Sequence, residues 1–400
     1  MSGPLPSALS LEPGPTIVDE RVVRAIARPA VHHLGEGFKH TMDRTCGYLQ
    51  QVFRTDDEVV LLPATGRGGV EAAITSVSEP GRVLLVPHNG SFGRMVAAIG
   101  RSLGLEVIAL EHGPKELLAR DAIERALEEY DVGVVAVVHC ETSTGMLNDL
   151  EGLGEMAHRH GALLVVDAVS SLAGAPLDVG RLDIDLCVSA AQKAVGALGG
   201  TSFVTVNDRA RTAMRDRSEQ ARGSYLDLAR WWSQWVPADR GGALASGFRR
   251  LPWSMPTHPV FALAEACRIV VDEEGLETRI VRHRAAAAAV RATVEGLGFR
   301  SFPPPASASP TVTAFEPPDG LDAGELITAV RERHGIIVAG GLDDLRGRIL
   351  RIGHMAESAR PAPLLAALAA IEHEVRRRGM LPDSAEGAQA RFLQAWEAVH

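Results

Sequence analysis

The sequence predicts an α/β protein: a large domain with a mostly parallel sheet between helices, then a smaller carboxy-terminal α+β domain. Three observations predict it. Short, near-continuous runs of Val, Leu and Ile recur from residue 58 onward, as strands covered on both faces require. Helical segments separate those runs, the arrangement of a sheet wrapped by crossover helices. After "LASGFRRLPWSMPTHPV" the texture changes to a long helical stretch, then strand, helix and further strands.

The elements follow in order. "EVVLLPA" (58–64) reads as a strand, and "GGVEAAITSVS" as a helix ended by "EPGR". "VLLVPH" (83–88), the helix-like "SFGRMVAAIGRSLG" and the strand "EVIAL" (106–110) come next. The amphipathic "RDAIERALEEY" leads into "VGVVAVVHC" (132–140); "DLEGLGEMAHRHG" is helical and "ALLVVDAVS" (162–170) is again a buried strand. We expect an arm over 1–19, a large domain over 20–255, a small domain over 256–379 and a tail over 380–400 with a terminal amphipathic helix. The small domain opens with a helical stretch broken by turns, whose Ala285–Ala289 run is strong helix former. "TVTAFEP", "DAGELITAVRERHG", "IIVAGG" and "RILRIGHM" then supply its strands and a helix.

Composition narrows the function. A formal charge of −9 disfavours nucleic-acid partners, since phosphate contact wants a basic surface. No run of 18 apolar residues appears, so no membrane span is expected, and "MSGPLPSALSLEPGP" lacks the pattern of a secretory signal. Cys46, Cys140, Cys187 and Cys267 are scattered without a C-x-x-C pair. They read as buried free thiols of a cytoplasmic, enzyme-sized protein, and no metal site is expected.

In an open parallel sheet, ligands gather beyond the carboxyl ends of the strands. Five such places carry informative residues. "TGRGG", from Thr65 through Gly66 and Arg67 to Gly69, opens a helix whose N–H groups suit an anion, or is simply a tight turn. Its spacing is not that of a Walker loop, and the dinucleotide fingerprint is incomplete. Phe92 can stack on a flat ring or fill core. Thr142, in "ETSTG", offers a hydroxyl or an ordinary turn. Asp167 follows "LLVV", where a carboxylate is costly without a cationic partner such as a protonated pyridine nitrogen; a helix cap is the plainer alternative. Lys193, in "VSAAQKAVGALGG", is either solvated or an amine made reactive by desolvation. Together they supply an anion cradle, a stacking ring, hydroxyls, a ring-nitrogen partner and an amine, the parts that pyridoxal phosphate requires.

The ordered blocks "NGSFG", "HCETSTGMLNDL", "LLVVDAVSSLAGAPLDV", "IDLCVSAAQKAVGALGG", "THPV", "TVTAFEPPDG" and "LRIGHM" resemble the class V aminotransferases of fold type I. The likeness runs over residues 11–375 and is nearest the alanine–glyoxylate and serine–pyruvate enzymes. It implies pyridoxal 5'-phosphate as cofactor, with Lys193 as Schiff-base lysine and Asp167 as pyridinium partner. Gln192 lies near the phenolate oxygen, Val169 under the ring, Phe92 stacked on it and Thr142 beside it. Thr65, Gly66 and Arg67 fall on the phosphate loop. Thr257 reaches the phosphate from a neighbouring subunit, which implies a homodimer. Arg351 grips the substrate carboxylate, and His33 joins it as a substrate-binding residue.

The departures fall on the phosphate loop and around the substrate. "TGRGG" stands where "SGSGT" is usual, "HHL" (32–34) replaces "GHR", and Ser254–Met255–Pro256 replaces an aromatic-His-His. The expected activity moves an amino group between a small amino acid (alanine or serine type) and a 2-oxo acid (glyoxylate or pyruvate type). The alternatives are a pyridoxamine–pyruvate-type aminotransferase, which "RIGHM" and the long tail also resemble, and a lyase or C–C or C–S bond enzyme on the same scaffold. A desulfurase needs a loop cysteine near the small domain, and none follows Cys267. A non-catalytic binding protein is disfavoured by Lys193, Asp167 and Arg351 occurring together.

Overall fold

The computed structural model describes residues 8–219, 221, 223–242, 249–381 and 386–399. An arm carrying β1 (Leu9–Ser10) leads into helices α1 (Glu20–Ile26) and α2 (Glu36–Phe53). Strands and helices then alternate through β2 (Glu58–Leu62), α3 (Gly66–Val77), β3 (Val83–His88), α4 (Ser91–Ser102), β4 (Val107–Glu111), α5 (Arg120–Glu129) and β5 (Val132–Val138). A hairpin of β6 (Cys140–Glu141) and β7 (Met146–Leu147) follows, then α6 (Leu153–Arg159), β8 (Leu163–Asp167), β9 (Leu186–Ala190) and β10 (Ser202–Val206).

Seven of these strands form one sheet in the order β2-β10-β9-β8-β5-β3-β4. The pairs from β9 to β4 are parallel, and β10 is antiparallel to both its neighbours. The reason lies in the connection: residues 191–201 contain no helix, so the chain turns straight back instead of crossing over. That direct return is the loop carrying Lys193. Strands β9 and β10 are buried along their whole length, which accounts for their lack of polar alternation.

Helices α7 (Asp208–Asp216), α8 (Ala229–Gln234) and α9 (Thr257–Arg268) lead through the wider turn Ile269–Glu274 to the long α10 (Leu276–Gly296). The rest of the chain comprises β11 (Arg300–Ser301), β12 (Val312–Glu316), α11 (Ala323–His334), β13 (Ile336–Ile337), β14 (Ala339–Gly340), β15 (Leu350–Gly353), α12 (Pro361–Arg377) and α13 (Ala388–Glu397). An antiparallel sheet of order β11-β12-β15-β14 lies here, and β1 pairs in parallel with β13. The core around the large sheet continues through Phe261, Leu263 and Cys267 of α9 to Val270. A second core, from Ala286 onward, also takes in Leu11 of the arm. The arm therefore packs with the carboxy-terminal layer while its next residues cross to the large sheet.

No helix among the described residues is long and apolar enough to cross a membrane. All four cysteines are free and buried.

Candidate active site

The carboxyl ends of β2, β3, β5, β8 and β9 point to one crevice, and the five sequence-selected places lie there. Asp167 is the last residue of β8, and Lys193 lies three residues beyond β9. Asp167 is nearly enclosed; one carboxylate oxygen accepts the Val169 N–H at 2.9 Å. Burial pushes its pKa up to about 6, the Val169 bond opposes this, Glu141 adds to it and Lys193 draws it back. Burial lowers the Lys193 amine to about 8, with Cys140 and Asp167 opposing and Arg351 assisting. The two groups thus sense each other, and no hydrogen bond joins them.

The arm closes over the amine. Lys193 Nζ donates to the Pro13 carbonyl, and Thr16 N–H donates to the Gln192 carbonyl at 3.1 Å. Gly14 has φ +98°, and a Cβ there would lie 2.6–2.8 Å from Lys193 Cδ, Cε and Nζ. Only a residue without a side chain fits, in a conformation glycine tolerates.

Thr65 stands at the N-cap of α3 and makes no side-chain cap bond, which leaves the first N–H groups of that helix open. Gly66 brings this turn against Val169: a Cβ at Gly66 would lie 2.8 Å from Val169 Cγ2. Arg67 turns elsewhere. Its Nε contacts Met95 Sδ on α4 at 3.1 Å, and its side chain is exposed. Phe92, the second residue of α4, is half-buried and packs partly on the large core. Thr142 donates to Ser170 Oγ at 2.8 Å. Gln192 Oε1 is buried without a hydrogen-bond partner.

Arg351 enters from β15. Its Nε donates to the Gly340 carbonyl at 2.8 Å and its Nη1 to the Thr142 carbonyl at 2.9 Å. It is 6% exposed, and among the described residues no carboxylate lies within ion-pair distance. Burial draws its pKa down to about 10, against the pull of the more distant Glu141 and Glu12. A buried guanidinium held only by carbonyls is electrostatically incomplete and suited to an incoming carboxylate.

Two sequence-selected residues lie apart from this group. Thr257 is the first residue of α9 and His33 precedes α2; neither hydrogen-bonds any residue of the Lys193 cluster. His33 instead sits edge-on to His32, ring centroids 5.5 Å apart. Sequence reasoning missed Glu141. This fully buried carboxylate accepts the N–H groups of Phe92, Gly93 and Ser143 at 3.1 Å each, and the Ser143 hydroxyl. It binds the start of α4 to the "TST" turn, a helix-dipole contact that fixes where Phe92 stands. The available signal was an acidic residue directly after an apolar strand.

The donor set fits pyridoxal 5'-phosphate on the structure's own terms. It offers an enclosed amine, a carboxylate with one oxygen unpartnered, an uncapped helix N-terminus pressed on Val169, and an orphaned Gln192 oxygen.

Comparison with known proteins agrees. The family described as Aminotransferase class-V matches residues 18–345, and the chain belongs to that family of pyridoxal-phosphate-dependent aminotransferases. Among relatives, alanine–glyoxylate aminotransferase of Callithrix jacchus is 32% identical over 89% of this chain and 84% of its own. (S)-Ureidoglycine–glyoxylate transaminase of Bacillus subtilis is 31% identical over 95% of this chain and 93% of its own. The crystal structure of the B. subtilis ureidoglycine–glyoxylate aminotransferase superposes with a TM-score of 0.90, covering 99% of each chain. That of pyridoxamine–pyruvate aminotransferase from Mesorhizobium loti gives 0.85 at 27% identity, covering 98% of this chain and 96% of its own.

Proposed function

We propose that this aminotransferase moves an amino group between a small amino acid of the alanine or serine type and a 2-oxo acid of the glyoxylate or pyruvate type. The observation that carries the reading is the enclosed Lys193 amine, lowered to about 8, facing a crevice that also holds Asp167 and the carboxylate-free Arg351.

Pyridoxal 5'-phosphate supplies an aldehyde that carries the amino group and a ring that accepts electrons. Lys193 holds the cofactor through its amine and, when released, accepts and returns a proton at Nζ. A value near 8 leaves part of the amine neutral at working pH, as a base requires. Asp167 would hold a proton on the ring nitrogen; Phe92, Val169 and Thr142 would hold the ring, and Gln192 would offer it an oxygen. The open N–H groups of α3, with Thr65 and Gly66, take the phosphate. Arg67, turned to Met95, supports this loop from outside. Arg351 orients the substrate carboxylate. The arm at Pro13–Gly14 excludes water from the amine.

Thr257 and His33 lie outside the cluster, and their roles rest on a homodimer in which Thr257 reaches the neighbouring subunit's phosphate and His33 lines a shared entrance. A cytoplasmic location accords with four unpaired, buried thiols. The pyridoxamine–pyruvate reading is favoured by the M. loti superposition; the uncapped N-terminus of α3 favours a phosphate-bearing cofactor over it. A cysteine-based C–S enzyme is disfavoured, because burial pushes Cys140 up to about 11 and Cys267 up to about 12, far from nucleophilic.

The test is a donor screen on the yellow holoenzyme with alanine, serine, aminoethylphosphonate and pyridoxamine. Bleaching by alanine or serine, reversed by glyoxylate or pyruvate, is the expected outcome. Bleaching by pyridoxamine alone transfers the assignment to the second reading.

A further inference from the structure

Beside the β6–β7 hairpin, lined by His139 and Leu147 and by none of the residues of the Lys193 cluster, lies a cleft of about 810 Å³. Its walls come from both halves of the chain: the β4–α5 loop and the residues after β7 on one side, α10 and the 304–310 loop on the other. A cleft of this size fits a metabolite or drug-sized ligand.

The charges lining it are unevenly answered. Lys115 pairs with Glu316, Asp149 with Arg120, and Arg181 with Glu151. Glu116 accepts the Gly113 N–H at 2.8 Å. Arg284 and Arg291 have no carboxylate partner among the described residues. They stand seven residues apart on α10, two turns along one face. Among the described residues, exposed Arg284 makes no polar contact, and half-buried Arg291 makes one long bond, 3.4 Å, to the Ser309 carbonyl. Burial lowers the Arg291 pKa, and Glu295 only partly restores it.

A second, independent observation is His139. It lines the cleft and is 5% exposed. Nδ1 bonds Ser171 Oγ at 2.9 Å, while Nε2 has no protein partner among the described residues. Burial drops its pKa to about 4, so the ring is neutral and presents one polar atom to a ligand. Leu150, Leu182 and Pro310 add an apolar wall.

We propose that this cleft is a second ligand site, separate from the Lys193 crevice, for a small organic anion. Arg284 and Arg291 hold its carboxylate or phosphate, His139 Nε2 meets a polar group, and the apolar wall takes its body. His139 precedes Cys140, and its N–H donates to the Asp167 carbonyl at 2.9 Å, so the two sites share one stretch of backbone.

The experiment uses holoenzyme and the fluorescent anion 8-anilino-1-naphthalenesulfonate, with phenylacetate and inorganic phosphate as competitors. Saturable binding is expected, weakened about tenfold in Arg284→Ala, and at least as much in Arg291→Gln, as for a lost charge-assisted bond. Transamination by Arg284→Ala stays at the wild-type rate. Displacement by phenylacetate ahead of inorganic phosphate supports an anion with an apolar body; displacement by phosphate alone overturns that part and leaves a bare oxyanion site. Arg284 is exposed, so its variant tests the site even where Arg291→Gln fails to fold. Unchanged probe affinity in Arg284→Ala, or loss of transamination in it, overturns the proposal.

Discussion

Arg351 Nη1 donates to the Thr142 carbonyl at 2.9 Å, and this bond joins the four-stranded antiparallel sheet to the hydroxyl turn of the β6–β7 hairpin. The same guanidinium faces the crevice without a carboxylate, so positioning and recognition reside in one side chain. Arg351→Lys keeps a charge but loses the planar fork. The expected outcome is retained yellow colour and a fall in kcat/KM of about 10²-fold for amino acid and oxo acid alike, read by steady-state kinetics.

Lys193→Ala removes the amine without disturbing the parallel strands beneath. The purified variant is expected to hold cofactor loosely, to lose its yellow colour on dialysis and to show no steady-state turnover. Dialysis-resistant colour identical to wild type would remove Lys193 from its assigned role.

Asp167 opposes function to stability in the cofactor-free protein. Its folded-state value of about 6 exceeds its ordinary 3.8, so the folded chain binds this proton more tightly than the unfolded chain. The stabilisation is complete below pH 3.8, fades as pH rises to about 6 and is absent above. Asp167→Asn is expected to raise apoprotein stability at pH 7–8 by ~2 kcal/mol in urea titrations, and to flatten the slope between those values, while activity falls by orders of magnitude.

Glu141→Ala leaves three buried N–H groups and one hydroxyl without their acceptor. A loss of ~3 kcal/mol is expected in thermal or urea unfolding, from unmet donors and a cavity together. Because Phe92 N–H is among those donors, the cofactor absorbance band is also expected to shift in whatever variant protein still folds.

Gly14→Ala places a methyl group within 2.6–2.8 Å of the Lys193 side chain at a backbone φ of +98°. The expected result is at least a tenfold loss of kcat together with weaker cofactor retention on dialysis, since the displaced amine no longer reaches its working position.

The parallel strands and the crevice residues were legible because a buried strand writes itself as an apolar run and ends where the polar residues begin. Lys193 and Asp167 were selected by that rule, and the structure places both at or just beyond the ends of neighbouring strands. The antiparallel course of β10 was not, since "SFVTV" looks like any buried strand and its direction depends on what the preceding loop omits. Glu141 escaped because two of its partners, the N–H groups of Phe92 and Gly93, lie 49 and 48 residues away, which no local pattern encodes. Arg67 was read from a loop whose spacing gives no side-chain direction, and the structure turns it to Met95. The cleft lined by His139 had no sequence signature at all, because seven separated stretches between residues 115 and 310 build it.

The arm carries a consequence for how the enzyme is made. Leu9–Ser10 pairs with Ile336–Ile337, Gly353 N–H donates to the Leu11 carbonyl at 2.7 Å, and Pro13 then caps Lys193. Residues of the arm therefore wait for partners synthesised more than three hundred positions later. Until the ribosome has delivered β13 and β15, the Lys193 amine stands without its cover, and the crevice matures only once those strands are in place.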